Sequence, residues 1–172
     1  MNAVMSDDGF PEMLRNAIWH TTRPDRFESI RCAGEVIANP DIPDAERWKT
    51  SRGPDHYPYV RHIGGISLFD FHDFDPIAYS KACPMSSWRI FVPVRQGWSA
   101  AVWLKIDVTK VSGEYFSPKD LADRQHTENA HRHTLMPHIE AAVVGSIPLD
   151  AIQAGYIIYQ GSGDIKELSI HH

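Results

Sequence analysis

The sequence has few cysteines, no excess of basic charge and no long apolar run, and each shortage removes a class of protein. Its two cysteines, Cys32 and Cys83, lie far apart and form no CxxC pair. A disulfide framework is therefore not expected, and reduced thiols in a cytoplasmic setting are. Lys and Arg number 17 against 22 Asp and Glu, a formal charge of −5. This lacks the basic field that dominates sequence-independent binding to nucleic acid, although a local patch can sit inside an acidic total. No apolar stretch approaches the roughly 20 residues that span a bilayer. The polar, acidic start from Met1 to Phe10 lacks the basic-then-apolar order of a signal peptide. Neither export nor a membrane partner is expected; residues 1–10 read as a flexible lead-in, and His171 and His172 as a tag stub with no expected role in function. Internal repeats and low-complexity tracts are also missing. With 42% hydrophobic residues, residues 1–172 are expected to form one domain around one core.

What is present is a series of short apolar runs separated by Pro and Gly. Ala17 to His20 reads as a strand end that leads into Thr21-Thr22-Arg23-Pro24. Thr22 or Thr21 can cap a helix with Pro24 in its first turn, carried on by Phe27, Ile30 and Arg31 to a stop at Gly34. Residues 38–62 hold four prolines together with Trp48, Tyr57 and Tyr59, with no sustained period; a long loop or lid is expected there. Gly64 to Phe71 alternates like a half-buried strand, and Pro76 to Cys83 can form a short helix. Trp88–Val94 and Ala100–Ile106 read as two strands, a possible hairpin. Pro118 to His133 reads as at best an exposed helix, Ile139–Val144 as a strand with Glu140 near its start, Pro148–Ile152 as one helical turn, and Gly155–Gln160 as the final strand. Strands outnumber helices without regular crossovers, so the expected class is α+β.

Three segments resemble a known family. Trp19-His20-Thr21-Thr22 with Cys32-Ala33-Gly34-Glu35-Val36-Ile37 is similar to the first motif of the ADP-ribosyltransferases. Gly65-Ile66-Ser67-Leu68-Phe69, with Tyr79 twelve residues beyond Ser67, is similar to the second. His138-Ile139-Glu140 followed by Gly145-Ser146-Ile147-Pro148 is similar to the third, and resembles the bacterial DNA-directed toxins in particular. The resemblance implies two packed, mainly antiparallel sheets flanked by a few helices. It also implies NAD as substrate, a transferase of the glycosyltransferase class, a macromolecular acceptor of protein or nucleic acid, and a toxin or effector with room for a cognate antitoxin or immunity partner. Ser67 stands where one branch of the family has Tyr, and His20 where another has Arg, so the set reads His-Ser-Glu.

The chemistry asks for such residues. Breaking the nicotinamide–ribose bond develops positive charge, which a carboxylate stabilises while it orients or deprotonates the acceptor; Glu140 is the candidate. His20, with Thr21 and Thr22, can hold a ribose hydroxyl and the carboxamide, and Ser67 can bond a ribose or orient Glu140. Tyr79 is the first choice to stack on the nicotinamide ring, with Phe69 and Tyr59 in reserve. Arg23, ahead of Arg26 and Arg31, can meet the pyrophosphate. Two alternatives stay open: a non-catalytic module binding ADP-ribose, NAD or a protein partner, and a metal-dependent hydrolase built on His126, His131, His133 and His138. The histidine spacing has neither a nearby cysteine nor an HExxH pattern, and no metal is expected.

Overall fold

Most of the apolar runs pair with a neighbour that hides the backbone, and the computed structural model, which describes residues 6–170, joins the resulting strands in one sheet. The strands are β1 (Ile18–Thr22), β2 (Glu35–Val36), β3 (Ile66–Asp70), β4 (Ala100–Ile106), β5 (Ser112–Phe116), β6 (Glu140–Pro148), β7 (Ile152–Tyr159) and β8 (Ile165–Leu168). The helices among the described residues are α1 (Pro24–Ala33), α2 (Tyr59–His62), α3 (Pro76–Ala82) and α4 (Pro118–Thr127). The class is α+β, and every strand pairing is antiparallel. Residues 1–5 and the two terminal histidines lie outside the described residues. Residues 6–10 are packed rather than loose: Phe10 is fully buried against Phe71 and Trp88, and Asp8 pairs with Arg15 at 2.6 Å.

The strand order is β2-β6-β3-β1-β4-β7-β8, with β5 also on β6. This is one connected sheet where two were expected. The physical reason is β6, which is long enough to serve three partners. Its Glu140–Val143 part pairs with β3, its Ala142–Ser146 part with β5, and Ile147 and Pro148 with β2. Gly113 and Gly145 face each other in that crossing with φ of 147° and 140°. A Cβ on Gly145 would collide with the Ser112 carbonyl oxygen, so only glycine permits the approach.

Both faces of the sheet are covered. Ile18, Leu68, Val102, Leu104 and Val143 pack with Phe27 of α1 on one face. Trp19, Phe69, Phe71 and Trp103 pack with Phe10, Trp88 and Phe91 on the other. The 88–94 run is therefore buried as a loop crossing this second face, with a 3-10 turn over Trp88–Ile90, and not as the expected strand. A run apolar on all sides reads the same whether it pairs or merely covers. Pro93 has no N–H to give a ladder, but its carbonyl accepts from Trp103 Nε1 at 2.7 Å.

Other boundaries moved for local reasons. Thr21 and Thr22 do not cap α1: both stay in β1, paired with Trp103 and Val102, and Arg23 takes the cap position without a side-chain bond. Gly34 closes the helix at φ 81° as expected. α4 is not merely exposed, because Leu121 is fully buried against Tyr59, Val60 and Ala142. β8, not the 155–160 segment, is the last strand, and the short β2 and β5 lie in segments without a clear alternating pattern.

Candidate active site

The site begins where the sheet opens. β1 and β3 pair only through Ile18↔Asp70 and Trp19↔Phe69. Beyond that point the His20 ring takes over from the ladder, with Nδ1 lying 3.1 Å from the Ser67 carbonyl oxygen. A carbonyl can only accept, so Nδ1 carries the proton and Nε2 is left as an acceptor when the ring is neutral. Burial lowers the His20 pKa and outweighs the opposing effect of this bond, which favours that neutral ring.

Ser67 connects His20 to Glu140. In the β3–β6 register Phe69 lies opposite Glu140 and Ser67 opposite Ala142, so Ser67 and Glu140 are diagonal neighbours on one face of the sheet. Ser67 Oγ donates to Glu140 Oε1 at 3.0 Å, and the Met136 backbone N–H donates to Oε2 at 2.8 Å. The carboxyl is buried, at 8% exposure, and burial raises its pKa. The two hydrogen bonds, from Met136 and Ser67, and the positive charge of Lys49 pull the other way. An anionic Glu140 is therefore costly but supported, the state in which a carboxylate can act as a base or electrostatic stabiliser.

These three side chains line one cleft of about 1190 Å³. Thr21, Thr22, Arg23 and Phe69 line it too. The Thr21 hydroxyl is buried without a hydrogen-bond partner among the described residues. Two stacking candidates are not there. Tyr79 is 6% exposed, packs on Phe74 and shares a hydrogen bond with Ser86 Oγ at 2.9 Å; burial pushes its hydroxyl up to about 12. It is a core residue because the buried side of α3 carries it inward. Tyr59 is fully buried and donates to Glu128. Phe69 alone of the three aromatic candidates reaches the cleft wall, with most of its ring held among Phe71, Phe91 and Trp103.

The expected lid over 38–62 is largely irregular, with two 3-10 turns and α2 at its end. It is strapped down by charge. Asp44 accepts from the Tyr57 hydroxyl and pairs with Arg61 at 2.7 Å, while Glu46 pairs with Arg26 at 2.9 Å and Arg23 at 3.3 Å. Asp25 also pairs with Arg23, at 2.9 Å. Arg31 pairs with Glu28 and is not among the cleft residues. Trp48, Lys49, Arg95 and Trp98 are cleft residues that the motifs did not single out as binding groups, apart from Trp48 in the loop. Their signal, aromatic and basic residues in turns far apart in sequence, has no periodicity to detect.

The histidine-rich segment does not converge. His133 is buried, its Nδ1 lies 2.8 Å from the Tyr57 carbonyl, and its ring stacks on His62 at 3.8 Å. His126 and His131 face each other, 5.6 Å between ring centres. Among the described residues no group of three or more His, Cys, Asp or Glu is placed to hold a metal ion. No helix among them is long and apolar enough to cross a membrane. The chain matches no protein-family model, and a search of curated proteins gives no match.

Proposed function

We propose that the chain is an NAD-dependent ADP-ribosyltransferase that cleaves the nicotinamide–ribose bond at Glu140 and passes ADP-ribose to a macromolecular acceptor. The observation that carries this reading is the convergence on Ser67, whose hydroxyl holds Glu140 while its carbonyl holds His20. A buried, doubly hydrogen-bonded carboxyl beside an open cleft suits a developing oxocarbenium centre, since its position is fixed before the reaction needs it. Neutral His20, with Nε2 free to accept, suits a ribose hydroxyl. Motif order and a cleft of nucleotide size support the same reading. As a bacterial toxin or effector, such a chain would have a cognate antitoxin or immunity protein as partner.

The test is release of nicotinamide from NAD. Wild type releases it, and Glu140→Gln, with an unchanged circular dichroism spectrum, loses at least about 100-fold in rate, as removal of one preorganised electrostatic group from a reacting centre does. Wild type that neither binds nor cleaves NAD overturns the reading. A second reading has one specific observation behind it. Burial favours the protonated form of Glu140, which suits a module that binds NAD or ADP-ribose without turnover. Thermal stabilisation by NAD with no nicotinamide released selects that reading.

A further inference from the structure

Five arginines line the cleft, and their partners divide them. Arg23, Arg26 and Arg61 are paired with carboxylates of the chain itself. Arg47 reaches the Ala38 carbonyl at 3.5 Å. Arg95 has no carboxylate within ion-pair distance among the described residues and is held by ring faces alone, 5.4 Å from Trp48 and 5.1 Å from Trp98. Burial lowers its pKa, with no anion to offset the cost. Lys49 lies on the same Trp48 ring at 5.6 Å, also without an ion pair among the described residues, and its positive charge favours the ionised form of Glu140. Its backbone sits at φ 50°, a conformation unusual for a lysine. Two cations without an ion pair among the described residues, from segments 46 residues apart in sequence, thus converge on one indole in the cleft that Glu140 also lines.

We infer that Lys49, Trp48 and Arg95 form an anion subsite that takes a phosphate group of a nucleotide, in place of the Arg23–Arg26 pair that the chain's own Asp25 and Glu46 already neutralise. Lys49 is exposed and keeps its water, but Arg95 is half-buried in the cleft, where part of its hydration is lost, and a phosphate would restore it through charge-assisted bonds from both cations. Trp48 sets their separation. Phe91 supports it edge-on, with ring centres 4.9 Å apart. The subsite does not depend on the transferase reading, because it concerns binding only.

The experiment is calorimetric titration of the full chain with pyrophosphate, ADP and nicotinamide mononucleotide, at low and raised salt. Wild type is expected to bind at least one of the three, more weakly as salt rises. Lys49→Met with Arg95→Met weakens that binding by about tenfold or more, whereas Arg23→Met changes it little. Arg95→Lys, which keeps charge but not the fork, recovers part of the loss, and an unchanged near-ultraviolet spectrum shows that the tryptophans stay packed. Tighter binding of nicotinamide mononucleotide than of ADP places the nicotinamide-side phosphate there; the reverse order places the adenosine side. No binding of any probe by wild type at millimolar concentration, or loss with Arg23→Met but not with the double variant, overturns the inference. Binding of ADP by a chain that leaves NAD uncleaved keeps the subsite and removes the transferase.

Discussion

The β3–β6 wall and the 126–138 segment are both rich in polar residues beside the cleft, and they behave in opposite ways. On the wall, Ser67 and Glu140 are 73 residues apart in sequence yet 3.0 Å apart in space. In the segment, four histidines lie within thirteen residues, yet His133 stacks on His62 while His126 and His131 face each other. A paired strand dictates which side chains share a face, with a period of two and a register fixed by its neighbour. A turn-rich segment dictates no shared direction. Closeness in sequence is therefore the weaker guide to a site.

That contrast can be broken at the wall first. Gly145→Ala should cost about 3 kcal/mol or more, since it adds a Cβ where the β5 backbone lies and fixes a φ that alanine avoids. Urea unfolding checks it, and an unchanged midpoint would sink the β5–β6 register. Ser67→Ala removes one of two donors to a buried carboxylate, a loss of about 1–3 kcal/mol, visible as a lower melting temperature.

Glu140→Gln tests the same carboxyl by charge. The Glu140 pKa is raised in the folded chain, so its contribution to stability is full below the usual carboxylate range and is lost as pH rises through the folded value. The variant takes no proton. It should therefore gain in melting temperature over wild type at alkaline pH, with the gap closing toward acid; a pH-independent gap contradicts the burial argument. In the histidine segment the effects shrink. His133→Ala should cost about 1 kcal/mol through its bond to the Tyr57 carbonyl. His126→Ala and His131→Ala should stay within about 0.5 kcal/mol, and zinc should not raise the melting temperature of wild type. A zinc-dependent rise lost in those variants would reverse the comparison.

Much of the frame was legible in the residues. Pro24 and Gly34 bracket α1, Pro76 starts α3, and the alternation of 64–71 marks β3. Tyr79 was misread because spacing along the chain says nothing about which side of α3 faces the core, and burial chose the inward one. Residues 88–94 were misread because an apolar run serves a covering loop as well as a strand. Lys49 and Arg95 carried no signal at all, because each lies in an irregular segment whose path is set by what it packs against.

The sequence by itself determined the α+β class and most element positions, and it singled out His20, Ser67 and Glu140 as candidates, because these follow from local periodicity, helix stops and short motifs. Tertiary structure alone decided that β6 would serve three strands, that Ser67 would hold both His20 and Glu140, and that Arg23 would be neutralised while Arg95 stayed unpaired. The reason is physical: pairing register, burial and charge balance are properties of residues distant in the chain, and they exist only once the backbone has closed around them.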